Sequence, residues 1–165
     1  MKPIPEALVE KTWQEVAGFG PDRAKKEMMK VGNSQPELLD FVMESSKEMD
    51  QEVRELAVYI FLVIYRMFQK AHGKVKRISS EEIIECYEHN EGLLERLEGG
   101  DEKFLDRIAS VQTSRQSHVV NYVVDALMEE EEGGEAVAFT DEQKGVLFLL
   151  FKSVIDVLDQ KGIES

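Results

Sequence analysis

Residues 50 to 71 read Asp-Gln-Glu-Val-Arg-Glu-Leu-Ala-Val-Tyr-Ile-Phe-Leu-Val-Ile-Tyr-Arg-Met-Phe-Gln-Lys-Ala. A helix drawn through this stretch is apolar around almost its whole circumference, and only a narrow strip of Glu55, Tyr59 and Arg66 interrupts it. A helix of this kind has to be surrounded by other parts of the protein, because no face of it suits water. The stretch therefore predicts a central helix inside a bundle.

The rest of the chain also shows apolar residues at helical spacing, and no stretch alternates as a strand would. Capping boxes at Ser79–Glu82 and Thr140–Gln143 mark two helix starts. Segments 119–128 and 146–158 are broadly apolar, so we expect three central helices with amphipathic ones outside. The pattern predicts eight helices, each bounded to within about two to four residues, at 5–17, 21–31, 36–46, 50–71, 80–98, 101–111, 114–131 and 141–161.

Length and composition indicate one ordinary domain. The chain has 165 residues, of which 42% are hydrophobic and 32% charged, and a chain of this size can bury a core without disulfides or metals. We therefore predict a single compact all-α domain over 1–165, with stacked helical hairpins around the central apolar helices. If the fold does not cover those helices, a homodimer interface is the expected use of the remaining apolar face.

The single cysteine, Cys86, cannot form an intramolecular disulfide, and the N-terminal residues contain no signal-peptide pattern. The longest apolar run, Leu56–Tyr65, spans ten residues, whereas a membrane span needs about 20. These features predict a cytoplasmic protein that does not cross a membrane.

Residues 35 to 64 resemble one helical hairpin of the HEAT type. The resemblance is carried by two short groups of residues, Pro36, Leu38, Leu39, Phe41 and Val42 in the first and Asp50, Val53, Arg54 and Ala57 in the second. It implies that the first group begins one helix of the hairpin and the second group begins the other. No second copy appears at the period of about 40 to 47 residues that a HEAT array requires, so we expect one hairpin within an irregular helical domain.

Charge is distributed unevenly along the chain. Residues 1–77 carry 13 basic and 12 acidic side chains, whereas residues 78–165 carry 7 basic and 21 acidic ones. An acidic surface repels phosphate backbones, which argues against nucleic acid and favours a basic protein partner. The alternative interpretation is that the acidity only keeps the protein soluble, without any partner.

One segment opposes this trend, with five basic residues in twelve and no acid among them: Arg66, Lys70, Lys74, Lys76 and Arg77. Lys70 is expected near the C-terminus of its helix, where cations interact favourably with exposed carbonyls. Pairing of Lys74, Lys76 and Arg77 with the acidic helix start at Glu81–Glu82 is the simpler interpretation. Binding of phosphate, RNA or an acidic partner through this basic segment is the alternative.

Motifs for common enzyme classes are absent from the sequence, and no catalytic residue, metal or cofactor is predicted. Cys86 and His89 lie three apart on a helix, but no second pair completes a four-ligand zinc site. A polar strip of Ser114, His118, Asn121, Tyr122 and Asp125 is interpreted as a solvated helix face. Asn90 lies within an apolar stripe, so if buried it needs hydrogen-bond partners, for which a neighbouring helix end is the favoured source.

Besides binding of phosphate or RNA through the basic segment, two functional hypotheses follow. The first is a protein–protein interaction or scaffolding module without catalysis, which binds an unidentified protein through leftover apolar surface or through its acidic half. The second is a small-molecule-binding or enzymatic helical bundle whose pocket is lined by Tyr59, Tyr65, Tyr87 and Asn90. Aromatic side chains at helical spacing are usually core, so their presence alone does not separate the two.

Overall fold

The computed structural model describes residues 2–97, 115–128 and 139–162. Every regular element within these ranges is an α-helix, in agreement with the predicted all-α class. The described helices are α1 (Glu6–Ala17), α2 (Pro21–Ser34), α3 (Pro36–Ser45), α4 (Gln51–His72), α5 (Ser80–Leu97), α6 (Ser117–Met128) and α7 (Asp141–Lys161).

Helix α4 lies at the centre of the fold. It contacts α1, α3, α6 and α7, and its side chains from Ile60 to Tyr65 are all buried. Helix α7 is the second central helix, since it contacts α3, α4, α5 and α6 and buries Leu147, Phe148, Phe151 and Leu158 completely. The predicted enclosure of both apolar helices is therefore confirmed.

Helix starts follow the predicted capping chemistry. The Thr140 hydroxyl accepts from the Gln143 amide at 3.1 Å, and the Gln143 side chain accepts from the Thr140 amide at 3.0 Å. Ser79 and Glu82 make the same reciprocal pair before α5. These bonds satisfy amides that the first helical turn leaves without a partner.

The largest differences from the predicted bounds are three residues, at the end of α2 and at the start of α6, which is within the stated range of about two to four residues. Helix α2 continues to Ser34, three residues past the predicted end before Gly32. A Cβ added at Gly32 would lie 3.3 Å from a Leu39 methyl, so this glycine lets α2 pack closely on α3 rather than ending the helix. The predicted helix at 101–111 lies outside the described residues.

Gln35 joins three parts of the fold. It lies between α2 and α3 and is fully buried. Its amide nitrogen donates to the Lys76 carbonyl at 2.8 Å and to the Tyr65 hydroxyl at 3.3 Å, and its amide oxygen accepts from the Ile78 amide at 2.9 Å. One side chain thus holds the α4–α5 connection against the α2–α3 connection.

Replacing Gln35 with alanine should destabilise the protein strongly. The change leaves the Ile78 amide and the Lys76 carbonyl without their partner, and each buried polar group left unpaired costs about 1 to 3 kcal/mol. We expect the free energy of unfolding in urea to fall by about 2 to 4 kcal/mol. Gln69→Ala, at an exposed position of α4, is the matched control and should change it by less than about 0.5 kcal/mol. Equal stability of the two variants would contradict this role for Gln35.

Candidate functional site

The basic segment is largely engaged in ion pairs within the chain. Arg66 donates from Nε to the Glu15 carboxylate at 2.9 Å, and its guanidinium also lies 3.4 Å from Glu27. Lys70 pairs with the same Glu15. The hydrogen bond from Lys70, followed by that from Arg66, lowers the pKa of the Glu15 carboxyl. These two cations therefore bind α4 to α1 and α2.

Arg77 has a different partner from the predicted one. It donates twice to Glu37 on α3, at 3.0 and 2.7 Å, instead of pairing with Glu81–Glu82, because the Gln35 contacts bring the α4–α5 connection beside α3. This bidentate bond lowers the pKa of Glu37. Lys76 is near enough to Glu82 to lower its pKa, behind the larger effect of the Ser79 amide. Lys74 is exposed.

The four residues predicted to line one pocket lie in four different places. Tyr65 is buried and hydrogen-bonded to Gln35. Asn90 is buried against α7. Tyr59 and Tyr87 each line a groove, but not the same one.

Asn90 belongs to a polar cluster between α5 and α7. Its amide nitrogen donates to Asp156 at 3.1 Å and to the Ser153 hydroxyl at 3.3 Å, while Lys152 donates to its amide oxygen at 3.0 Å. Lys152 also pairs with Asp156 at 2.6 Å. Asn90 thus bonds to a neighbouring helix, as expected for a buried amide, although to its interior rather than to its end.

Cys86 and His89 do not form a site together. Cys86 is a buried free thiol, whereas His89 is exposed. Within the described ranges, no group of three His, Cys, Asp or Glu side chains is arranged to hold a metal ion. None of the described helices is both long and apolar enough to cross a membrane.

A groove of about 790 Å³ runs between α3 and α5, and we call it the α3–α5 groove. Phe41 and Tyr87 line it in an edge-to-face contact, with ring centroids 5.6 Å apart. Met43 and Ile84 line it while remaining 45% and 53% exposed. This groove thus places two large exposed apolar side chains beside an aromatic pair.

The charged residues that line the α3–α5 groove are three carboxylates on α3 (Glu37, Asp40 and Glu44) together with Lys47 and Arg54. Glu37 and Glu44 are occupied by Arg77 and Lys47. Asp40, an exposed lining residue, makes no ion pair within the described part of the chain. On α5, Glu81 and Glu88 are exposed one turn before and one turn after Ile84, so they share its face. Burial, and then the charge of Glu91, raises the pKa of Tyr87.

A second groove, of about 830 Å³, lies where α1, α4 and α6 meet, and we call it the α1–α4–α6 groove. Trp13, Tyr59 and Tyr122 contribute aromatic surface to it. The polar strip of α6 lines it as well, through His118, Asn121, Tyr122 and Asp125, so this strip faces a concave surface rather than only open solvent. Ser114 lies outside the described residues.

Sequence reasoning did not find either groove. Their linings come from helices far apart in the sequence, and no local pattern reports how those helices meet. The sequence contains one partial signal of the α1–α4–α6 groove. Trp13, the single tryptophan of the chain, lies three residues after Glu10, so the two side chains share a helix face, and both line this groove.

Comparison of the chain with protein-family models, with curated proteins and with solved structures finds no match. The two grooves are accordingly interpreted from their own geometry and charge.

The Cys86 thiol should be slow to react in the folded protein. Burial, and then the nearby Asp156 carboxylate, raises its pKa to about 11 from 9.0. At pH 8 the folded chain then holds roughly a hundredfold less thiolate than the unfolded chain. We expect labelling by a disulfide reagent to be slower by about that factor in the native state than in urea. Rapid labelling of the native thiol would contradict its burial.

The same raised pKa predicts a loss of stability in alkali. The unfolded thiol ionises at a lower pH than the folded one, so ionisation favours unfolding as pH rises from 9 toward about 11. The contribution of Cys86 to the free energy of unfolding is therefore fully present below pH 9 and is lost over this range. Urea unfolding of the native chain and of Cys86→Ala across this pH range measures the effect. We expect the alkaline decline to be shallower in the variant.

Proposed function

We propose that this protein is a helical protein-interaction module without catalysis, and that the α3–α5 groove binds an amphipathic basic helix of another protein. The observation that carries the proposal is the exposure of Met43 and Ile84 beside the Phe41–Tyr87 pair in a concave surface. Apolar side chains grouped in this way mark interaction surfaces more often than scattered ones do.

The shape of the groove supports a helical ligand. It lies between two helices that contact each other, and a third helix can place its apolar face over such a trough with anchors spaced by one turn. Aromatic and methionine side chains are common at the centres of such interfaces, because they bury large areas and adapt their shape.

Charge supports a basic partner. Asp40 lines the groove on α3, and Glu81 and Glu88 are exposed on α5 one turn before and after the lining residue Ile84. Arg54 is the lining cation that no ion pair engages within the described residues. Lysine and arginine on the flanks of an incoming helix would meet these carboxylates. Such rim charges mainly raise the rate and selectivity of association, while the apolar centre supplies affinity.

We further propose a HEAT-like hairpin and a cytoplasmic location for this protein. The hairpin, at 35–64, comprises α3 and α4 as far as Ile64, which places the proposed interface on its first helix. A reducing, cytoplasmic location is consistent with the single, unpaired cysteine. A second copy of this chain on the same groove is the alternative to a different protein.

Site-directed photo-crosslinking in extracts of its native cells would test the interface. A photoreactive residue is placed at Ile84, at Met43 or at Met29. Met29 is the control, because it is 62% exposed on α2 and does not line the groove. We expect residues 84 and 43 to crosslink one shared segment of another protein, rich in Lys and Arg on one helix face, and residue 29 to crosslink no such segment.

A synthetic peptide of the captured segment should then bind the purified protein. We expect Ile84→Asp to weaken its Kd by about thirtyfold, as for the loss of a central apolar anchor, and Met29→Asp to leave it unchanged. Crosslinks from position 84 only to a second copy of this chain would replace the proposal with a homodimer. Identical crosslinks from all three positions would refute the interface.

A further inference from the structure

The α1–α4–α6 groove combines apolar and aromatic surface with carboxylates. Its apolar residues include Val9 and Ile60, which are buried, and the half-buried Leu56 and Phe139. Its aromatic part consists of Trp13, which is 38% exposed, and the half-buried Tyr59 and Tyr122. Pockets of this volume suit a small organic molecule, whose apolar body such a lining would cover.

The charged side chains that line this groove, within the described residues, are carboxylates. Glu6 and Glu10 line it from α1, on the same face as Trp13, and Asp125 lines it from α6. Each of the three is exposed and makes no ion pair within the part of the chain that the structure describes. Among the lining residues that belong to the described part of the chain, His118 is the remaining titratable side chain apart from the tyrosines, and none is a lysine or an arginine.

We propose that the α1–α4–α6 groove binds a small amphipathic organic cation, an amine or quaternary ammonium attached to an apolar or aromatic body. The faces of tryptophan and tyrosine are electron-rich and attract organic cations. Carboxylates on two opposite helices add attraction for the same charge and repel anions. An uncharged apolar molecule would gain only the burial of its body, so charge gives the site its selectivity.

This proposal does not depend on the interface assigned to α3 and α5. That groove also contains Lys47 and Arg54, and its two most exposed apolar residues are a methionine and an isoleucine rather than aromatic rings. The two grooves share no lining residue. A ligand of the second groove can therefore bind whether or not a helix occupies the first.

Trp13 provides a direct signal for this site, because it is the only tryptophan of the chain and it lines the groove. Three probes share one apolar body and differ in their head group: 4-phenylbutylamine, 4-phenylbutanol and 4-phenylbutanoate. Each is titrated into the full-length protein while tryptophan fluorescence is recorded. We expect saturable binding of the amine with a Kd of about 1 mM, which is ordinary for a ligand of this size.

The head group should decide the affinity. We expect the alcohol to bind about tenfold more weakly than the amine and the carboxylate to give no saturable change. Asp125→Asn and Glu10→Gln should each weaken binding of the amine by about threefold to tenfold. Glu85→Gln is the matched control, because it removes the same charge from an exposed position of α5 that lines neither groove, and it should leave the Kd unchanged.

Several results would overturn the proposal. They are the absence of saturable amine binding up to about 10 mM, equal affinity for the amine and the carboxylate, and equal effects of Asp125→Asn and Glu85→Gln. Circular dichroism confirms that each variant is folded before titration. An oligo-arginine peptide is titrated in parallel, and saturation by the peptide but not by the amine would overturn the small-molecule assignment in favour of a peptide ligand.

Discussion

Helix α4 presents apolar side chains in nearly every direction, and the other helices are arranged by the need to keep those side chains from water. Four of them, α1, α3, α6 and α7, contact it directly. Burial of one large apolar side chain contributes about 1.5 to 3 kcal/mol, and α4 has ten buried residues, from Val53 to Phe68. Polar contacts such as the Gln35 bonds then set where each covering helix lies.

The two grooves follow from this arrangement. Helices that cover a central helix are amphipathic, and their exposed faces diverge where two of them meet. At α3 and α5 the divergence leaves Met43 and Ile84 partly exposed, and at α1 and α6 it does the same for Trp13. Carboxylates lie beside these exposed apolar residues in both grooves, and they are the basis on which cationic ligands are proposed for each. The proposed protein interface and the proposed cation site therefore have the same structural origin, which is the covering of α4 by amphipathic helices.

Local sequence information predicted the helices well, because helical spacing of apolar residues and capping boxes act within a few residues. It identified α4 and α7 as enclosed, and it indicated that Asn90 would need partners. It could not predict that Arg77 pairs with Glu37 instead of Glu81–Glu82, since that choice depends on how the α4–α5 connection is placed. The prediction that Tyr59, Tyr65, Tyr87 and Asn90 line one pocket is wrong for the same reason, because their surroundings come from distant parts of the chain.

Hydrogen exchange measured by mass spectrometry tests the enclosure of α4 most directly. At concentrations where the protein is monomeric, amides between Ala57 and Phe68 should be among the slowest to exchange, because these residues lie in the core. Their opening free energy should equal the global free energy of unfolding and should not change on about tenfold dilution. Exchange of this segment as fast as that of the exposed helix α2, or protection that is lost on dilution, would contradict the account.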